Sequence, residues 1–90
     1  MSIPRPYTQE PAEDGFLRTF SKETDPMDLV WHRDNADRTF TVLEGEGWMF
    51  QRDNESPVKM EKGKSYSVDK MVYHRAIKGD TDLKIKVREY

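Results

Sequence analysis

The chain contains two histidines, and the first is followed two positions later by a carboxylate. His32 and Asp34 belong to the segment Trp-His-Arg-Asp at 31–34, and His74 follows far downstream. Residues i and i+2 of an extended chain point to the same side, so His32 and Asp34 can share one face. Two imidazoles and one carboxylate form a facial ligand set that suits non-haem Fe(II) and also accepts Mn, Ni or Zn. The pattern predicts a divalent metal site at His32, Asp34 and His74, with His74 supplied by a neighbouring strand.

The same residues also have a structural interpretation, which the sequence leaves open. Asp34 is followed by Asn35, and such a pair can form a turn by accepting hydrogen bonds from nearby backbone amides. A histidine in a strand can equally be a hydrogen-bonded member of the core.

Arg38 begins an alternating segment, and its parity places it on the same face as Phe40 and Val42. If that face is the interior, Arg38 lies near a barrel mouth, where a guanidinium binds an anionic ligand with two parallel hydrogen bonds. The alternative is an ion pair at the rim with a neighbouring carboxylate such as Asp34. We take Arg38, Phe40 and Trp48 as candidate ligand-binding residues, with packing as the other role of Trp48. We assign no catalytic residue.

Short β-like runs separated by turn signals make up most of the chain. In the last run Leu83, Ile85 and Val87 alternate with charged residues, and a Gly-Glu-Gly tripeptide at 45–47 predicts a tight reversal. No segment has a convincing 3.6-residue apolar pattern. The absence of helices between the runs favours an all-β antiparallel sandwich or barrel. The predicted strands cover residues 16–20, 27–32, 38–43, 48–52, 58–61, 65–68, 72–77 and 83–88.

Length and composition set the scale of the domain. Ninety residues make one small domain, and only 34% of them are apolar, so the core must be thin. Such a chain buries roughly 60 to 65% of its unfolded surface, and its stability is marginal unless a metal or a second subunit helps. Residues 1–14 contain three prolines and no periodicity. We expect an extended N-terminal arm there, loose or along a sheet edge, and a barrel domain over 15–90.

Charge and residue usage exclude several classes of partner. With 15 basic and 17 acidic residues, the net charge of −2 provides no basic field for nucleic acid. There is no cysteine, which excludes disulfide and thiolate chemistry. No apolar run approaches the roughly 18 residues of a membrane span, and no charged start leads into an apolar export segment. We expect a soluble, cytoplasmic protein without a signal peptide and without nucleic-acid or membrane partners.

Two apolar side chains in the second run, Leu29 and Trp31, are expected to point outward. Small barrels often pair their sheets across a two-fold axis, and such a pairing would cover these side chains. We therefore expect a homodimer.

Residues 42–47, which read VLEGEG, resemble the end of the first motif of the cupin superfamily. Its members are small antiparallel jelly-roll barrels of the double-stranded β-helix type. Counting back from Gly45 places His32 on the first histidine of that motif, Asp34 on its second histidine and Arg38 on its glutamate.

The second cupin motif is matched at Gly63 and His74. The likeness covers about residues 27–88 and extends to small single-domain cupin-like proteins of phages or bacteria with no assigned function. The proline, glycine and asparagine of the second motif are replaced by Asp69, Met71 and Lys78.

The resemblance implies a divalent metal (Fe, Mn, Ni or Zn) held by His32, His74 and Asp34, beside a small-molecule ligand. If the protein is an enzyme, it implies oxygenase or isomerase chemistry, and a His-x-Asp…His set is the one that 2-oxoglutarate oxygenases use on a related barrel. Arg38 in place of the glutamate removes a negative ligand. A desolvated cation beside the ion costs several kcal/mol unless a carboxylate such as Asp34 neutralises it. Arg38 and the metal therefore compete for Asp34.

The alternative is a metal-free cupin-like scaffold. His32, Asp34 and Arg38 then form a hydrogen-bonded ion network, and function lies in a ligand, dimer or partner interface.

Overall fold

The computed structural model describes residues 6–89, and within that range the backbone forms eight strands and one 3-10 helix. The strands are extended because apolar and polar side chains alternate along them, so one face of each strand can be buried. The helix spans Pro26–Asp28. No helix in the described range is long and apolar enough to cross a membrane. The strands are β1 (Tyr7–Ala12), β2 (Gly15–Phe20), β3 (Arg38–Glu44), β4 (Met49–Arg52), β5 (Val58–Lys59), β6 (Ser65–Val68), β7 (His74–Ile77) and β8 (Leu83–Glu89).

The strands form two antiparallel sheets. The five-stranded sheet has the order β1-β2-β8-β3-β6, and the three-stranded sheet has the order β5-β4-β7. β8, the last of these strands in chain order, lies between β2 and β3 and pairs with both of them. Such non-sequential neighbours are typical of jelly rolls. The predicted all-β jelly-roll fold is confirmed.

The core lies between the sheets and takes side chains from both. Phe40 of β3 and Phe50 of β4 meet edge to face with ring centroids 5.0 Å apart, an arrangement worth roughly 0.5–1.5 kcal/mol beyond the area it buries. Val42, Trp48 and Leu83 are fully buried. β8 contributes the inward row that its alternation predicts, namely Leu83, Ile85 and Val87.

The strand expected over residues 27–32 does not form, and this prediction was wrong. The Asp25 side chain accepts a hydrogen bond from Met27 N at 2.9 Å. Pro26 occupies the first helical position, where its fixed φ suits a helical turn. Local capping therefore starts a 3-10 helix here. In this segment only His32 pairs as a strand residue does, through an isolated bridge to β7.

Leu29 and Trp31, the two side chains of this segment expected to point outward, differ from each other in their exposure. Leu29 packs against the core, because the helical turn reverses the alternation that the strand prediction assumed. Trp31 is 41% exposed. The expected outward position of Leu29 was wrong, whereas Trp31 does reach solvent.

The N-terminal segment contributes an edge strand. Residues 7–12 pair with β2 as β1, and residues 1–5 of the expected arm lie outside the described residues. The seven other predicted strands are present, with ends that agree within two residues.

The reversal between β3 and β4 depends on glycine at close quarters. Gly47 has φ +79, a left-handed conformation that glycine adopts without strain. Gly79 packs against this reversal from the other side, and a Cβ built on it would lie 2.4 Å from both Glu46 O and Trp48 N. No side chain can occupy that space unless the backbone moves.

We expect Gly79→Ala to lower the free energy of unfolding by about 2 kcal/mol or more, because the hairpin backbone must shift. Gly63→Ala is the matched control, since Gly63 has φ +86 but no atom within 4 Å of a built Cβ. It should cost about 1 kcal/mol of left-handed strain alone. Urea unfolding followed by tryptophan fluorescence measures both. A smaller loss for Gly79→Ala than for Gly63→Ala would contradict the close-approach argument.

Candidate metal centre

The two histidines meet through an isolated backbone bridge. His32 N donates to His74 O at 3.0 Å, and His74 N donates to His32 O at 2.8 Å. Residues directly opposite each other in an antiparallel pair point to the same side. Both rings accordingly line one cavity, with ring centroids 4.2 Å apart and ring planes at 62°. The bridge therefore brings together two histidines that lie far apart in the sequence.

Asp34 is held beside this pair by the turn that precedes β7. Met71 N donates to Asp34 O at 2.7 Å, and Lys70 N donates to Asp37 Oδ1 at 2.7 Å. The Asp34 side chain is 11% exposed, and its Oδ2 lies 3.3 Å from His74 Nε2. One ligand atom of Asp34 and one of each histidine lie within 4.8 Å of one another. The fold thus brings together the three predicted residues, which we call the ligand triad.

Backbone carbonyls set the tautomer of both rings. His32 Nδ1 lies 3.0 Å from Val30 O, and His74 Nδ1 lies 2.9 Å from Val72 O. A carbonyl oxygen only accepts hydrogen bonds, so each ring carries its hydrogen on Nδ1 and donates it there. In the neutral form of either ring, Nε2 then presents a lone pair. Histidines that bind metals make this same outer contact.

The Asp34 carboxylate faces an acceptor instead of a donor. Burial lowers the pKa of His74 from 6.5, so the ring is neutral at pH 7 and its Nε2 is unprotonated. Asp34 Oδ2 is buried and has no hydrogen-bond partner among the described residues. Two acceptors 3.3 Å apart are unfavourable unless a cation or a proton lies between them. Two ligands of one ion, with bonds of about 2.1 Å, lie roughly 3.0–3.4 Å apart, so this gap fits a divalent metal.

Arg38 occupies the place of the glutamate in the cupin motif, and two carboxylates hold its guanidinium. Arg38 Nη1 lies 3.3 Å from Asp34 Oδ1. Arg38 Nε donates to Glu89 Oε1 at 2.9 Å, and Nη2 contacts the same oxygen. Glu89 is the register partner of Arg38 in β8. The Arg38 guanidinium is therefore neutralised by both Glu89 and Asp34, and not by Asp34 alone.

A cavity of about 70 Å³ adjoins the ligand triad, and we call it the inner cavity. Arg38 and Phe40, two of the three residues predicted to bind a ligand, line it. Trp48, the third residue of that prediction, does not reach it. The Trp48 side chain is fully buried in the core, and its indole N–H donates to Thr81 O at 2.7 Å. Phe50, which the sequence analysis did not assign, contributes an aromatic side chain to the cavity wall.

Arg18 also lines the inner cavity, and the sequence analysis did not assign it. Its parity in β2 was the available signal, because Arg18 lies midway between Phe16 and Phe20 and therefore shares their face.

Comparison with known proteins identifies the fold. No protein-family model and no curated protein sequence matches this chain. Solved structures do match, among them a cupin-2 domain containing protein from Shewanella frigidimarina, at 19% identity and TM-score 0.66, over 94% of this chain and 81% of that one. A cupin domain from Bordetella pertussis matches at 17% identity and TM-score 0.61, over 99% of both chains.

A third match is HppE in its Fe(II) form in complex with substrate, at 17% identity and TM-score 0.69. It covers 100% of this chain and 56% of HppE, so this chain spans about half the length of that enzyme. Together with the sheet topology, these likenesses show that the chain is a small protein of cupin fold, as the VLEGEG motif implied.

We expect the stability of the chelator-treated protein to decrease between pH 7.5 and 5.5, and to decrease less in His74→Gln. The pKa of His74 is lowered from 6.5 by burial, so the unfolded chain takes up a proton near pH 6.5 that the folded protein does not. The free energy of unfolding therefore decreases as the pH falls below 6.5, with a slope of at most about 1.4 kcal/mol per pH unit. Urea unfolding across this range measures the slope. Equal slopes in both proteins would contradict a neutral, buried His74.

Proposed function

We propose that this protein binds one divalent metal ion through the ligand triad of His32, Asp34 and His74, and a small polar or anionic ligand in the inner cavity. The observation that carries the proposal is Asp34 Oδ2, which has no hydrogen-bond partner among residues 6–89 and lies 3.3 Å from His74 Nε2. The carbonyl contacts of both Nδ1 atoms support it, since they leave both Nε2 lone pairs for an ion. Fe(II), Mn(II), Ni(II) and Zn(II) are the candidate ions because imidazole and carboxylate ligands suit all four.

Each residue of the site has a distinct part in this proposal. When bound, the ion supplies Lewis-acid chemistry, and redox chemistry if it is iron. The two histidines are neutral donors, and Asp34 adds one negative charge. Arg38 orients the Asp34 carboxylate, and the aromatic wall of Phe40 and Phe50 limits the entry of water. The fold neighbour HppE binds Fe(II) and a substrate, which supports a metal-dependent oxygenase or isomerase as the catalytic form of the proposal.

The second candidate is a metal-free scaffold. The ion pair between Arg38 and Asp34 favours it, because a guanidinium 3.3 Å from Asp34 Oδ1 already neutralises the carboxylate. Function would then lie in ligand binding or in a homodimer or partner interface. Met27 and Val30, which are 81% and 60% exposed, would supply apolar area to such an interface. Sedimentation that shows only monomer at micromolar concentration would contradict the homodimer.

Metal titration of chelator-stripped protein tests the first candidate against the second. We expect one site per chain in the wild type and at least roughly hundredfold weaker binding in Asp34→Asn and His74→Ala, because each removes one of three ligands. Calorimetry with Fe(II), Mn(II), Ni(II) and Zn(II) gives the affinities, and circular dichroism verifies the fold. Equal binding by the wild type and both variants, or no binding by any of them, would refute the metal site.

Asp53→Asn is the matched control for Asp34→Asn. Residues 52–54 read Arg-Asp-Asn, as residues 33–35 do, but Asp53 is exposed and is not part of the ligand triad. The control should bind metal as tightly as the wild type.

We expect Arg38→Gln to raise the metal affinity by roughly tenfold, because it removes a positive charge beside the ion and releases Asp34. Glu89→Gln should lower the metal affinity, since Arg38 then pairs with Asp34 alone and competes more strongly with the ion. The same calorimetric titration measures both variants. If neither affinity changes, Arg38 and the ion do not compete for Asp34.

A further inference from the structure

Two basic and two aromatic residues occupy the outer face of the three-stranded sheet beside the bridge between His32 and His74. Both histidines line the inner cavity, so their neighbours in sequence project to the opposite face of the sheet. An antiparallel pairing places the residue before one histidine opposite the residue after the other. The two resulting pairs, which we call the outer cluster, are Trp31 with Arg75 and Arg33 with Tyr73.

Side-chain contacts show that both pairs of the outer cluster form. The Arg75 guanidinium carbon lies 4.8 Å from the centroid of the Trp31 ring, and that of Arg33 lies 5.2 Å from the centroid of the Tyr73 ring. Both distances are within the range of cation–π attraction. Arg75 Nε also donates to Gln51 Oε1 at 3.0 Å. Trp31 and Tyr73 are still 41% and 43% exposed, so a partner can reach both rings.

Neither arginine of the outer cluster has a carboxylate partner within residues 6–89. Arg38 and Arg52, in contrast, each contact a carboxylate. A cation–π contact gives the N–H donors of a guanidinium no acceptor atom. A carboxylate supplies two acceptor oxygens in the geometry that these donors require. The two arginines are therefore suited to acidic groups from outside the described part of the chain.

The remaining positions of this face are apolar at one end and carry one charge of each sign at the edges. Register pairing places Met49 and Ile77 together on the rung beyond Arg75. Asp53 and Lys59 are the two edge charges, since Asp53 shares the parity of Met49 and Lys59 is its register partner. These two charges offset each other, so the arginines of the outer cluster leave the face with a net positive charge.

The composition of this face indicates the chemistry of its partner. Tryptophan, tyrosine and arginine are the residues enriched at the centres of protein–protein interfaces, and a positive patch is complemented by a negative one. A second copy of this chain docked through the same face would bring like charges together. A nucleic acid would meet few cations on a chain whose net charge is −2. An acidic segment of another protein fits both the charge and the aromatic rings.

The spacing along β7 suggests how such a segment lies. Side chains on one face of a strand repeat every two residues, about 6.6–6.8 Å apart, and those of an extended peptide have the same repeat. The two pairs of the outer cluster and the apolar pair of Met49 and Ile77 occupy three successive rungs. A matching segment has two acidic side chains and then one apolar side chain at alternate positions.

We propose that the outer cluster binds an extended acidic segment of a partner protein. Two carboxylates at alternate positions of the segment pair with Arg33 and Arg75, and the apolar side chain that follows packs on Met49 and Ile77. The inference does not depend on the proposed metal site, because the outer cluster and the ligand triad lie on opposite faces of the sheet.

A synthetic pentapeptide with capped ends, Glu-Thr-Glu-Thr-Leu, is the probe, and its neutral counterpart has glutamine in place of both glutamates. The full chain is treated with chelator, so that peptide carboxylates cannot bind an ion at the ligand triad. NMR titration at low salt, followed at the indole N–H of Trp31 and the amides of β7, gives the dissociation constants. We expect the acidic peptide to bind roughly threefold or more tightly, since exposed ion pairs are individually weak. Equal affinities would overturn the proposal.

Two double variants distinguish the outer cluster from a general attraction between charges. Arg33→Gln combined with Arg75→Gln should abolish the preference for the acidic peptide. Lys86→Gln combined with Arg88→Gln is the matched control, because it removes the same charge from the outward side of β8, where the register partners in β3 are threonines. The control should keep the preference of the wild type. Equal loss in the two double variants would contradict a specific site.

The cation–π contacts also hold residues 31–33 against β7, so a change of fold needs its own control. Arg33→Lys combined with Arg75→Lys keeps both charges and should retain part of the preference, although it loses the planar fork of donors. Urea unfolding compares the stability of this variant with that of the glutamine variant. A loss of preference as complete as in the glutamine variant would assign the arginines a purely structural role and overturn the proposal.

Other occupants of this face give different results. A wild-type dimer in sedimentation that the glutamine variant does not form would assign the outer cluster to a second copy of the chain. Tighter binding of oligothymidylate than of the acidic peptide would assign it to single-stranded nucleic acid. Either result would overturn the proposal, whereas a wild type that prefers the acidic peptide and a glutamine variant that does not would support it.

Discussion

The pair of backbone hydrogen bonds between His32 and His74 is the interaction on which the site depends. It is an isolated bridge, and it ties an irregular segment to β7, at the edge of the three-stranded sheet. Ordering a free loop costs roughly 1–2 kcal/mol per residue in backbone entropy. The bridge and the hydrogen bond from Met71 N to Asp34 O order the segment within the fold, so that binding a ligand does not have to. Backbone hydrogen bonds to His32 and to Asp34 therefore hold the two members of the ligand triad that this segment carries.

Charge at the site is divided between the two oxygens of one carboxylate. Asp34 Oδ1 faces Arg38, and Oδ2 faces the lone pair of His74. Glu89 also accepts a hydrogen bond from the Arg38 guanidinium, and Asp34 Oδ2 remains available to another cation. A glutamate in the place of Arg38 would instead add a fourth ligand. Arg38 in that place thus exchanges a ligand for a group that orients one, and an ion bound there would be balanced by the single negative charge of Asp34.

The thin core accommodates these polar groups through its aromatic residues. Phe40 packs edge to face on Phe50 and stacks on Tyr66, with centroid distances of 5.0 and 5.3 Å. These contacts pack the interior beside the cavity that Arg18 and Arg38 line.

The sequence by itself determined the all-β jelly roll, and it named the three side chains that the fold brings together as the ligand triad. Alternation and tight turns are local properties, and the capacity to bind a metal belongs to side-chain type. It misassigned residues 27–32, where capping by Asp25 prevailed over an apolar run, and it left Trp48 between a packing role and a ligand-binding role, because an indole suits both. Parity within β2 indicated the face of Arg18, but only the tertiary structure decided that Arg18 lies opposite Ile85 and that two acceptors of the triad lie 3.3 Å apart. Both follow from pairing between distant strands, which spacing along one strand does not encode.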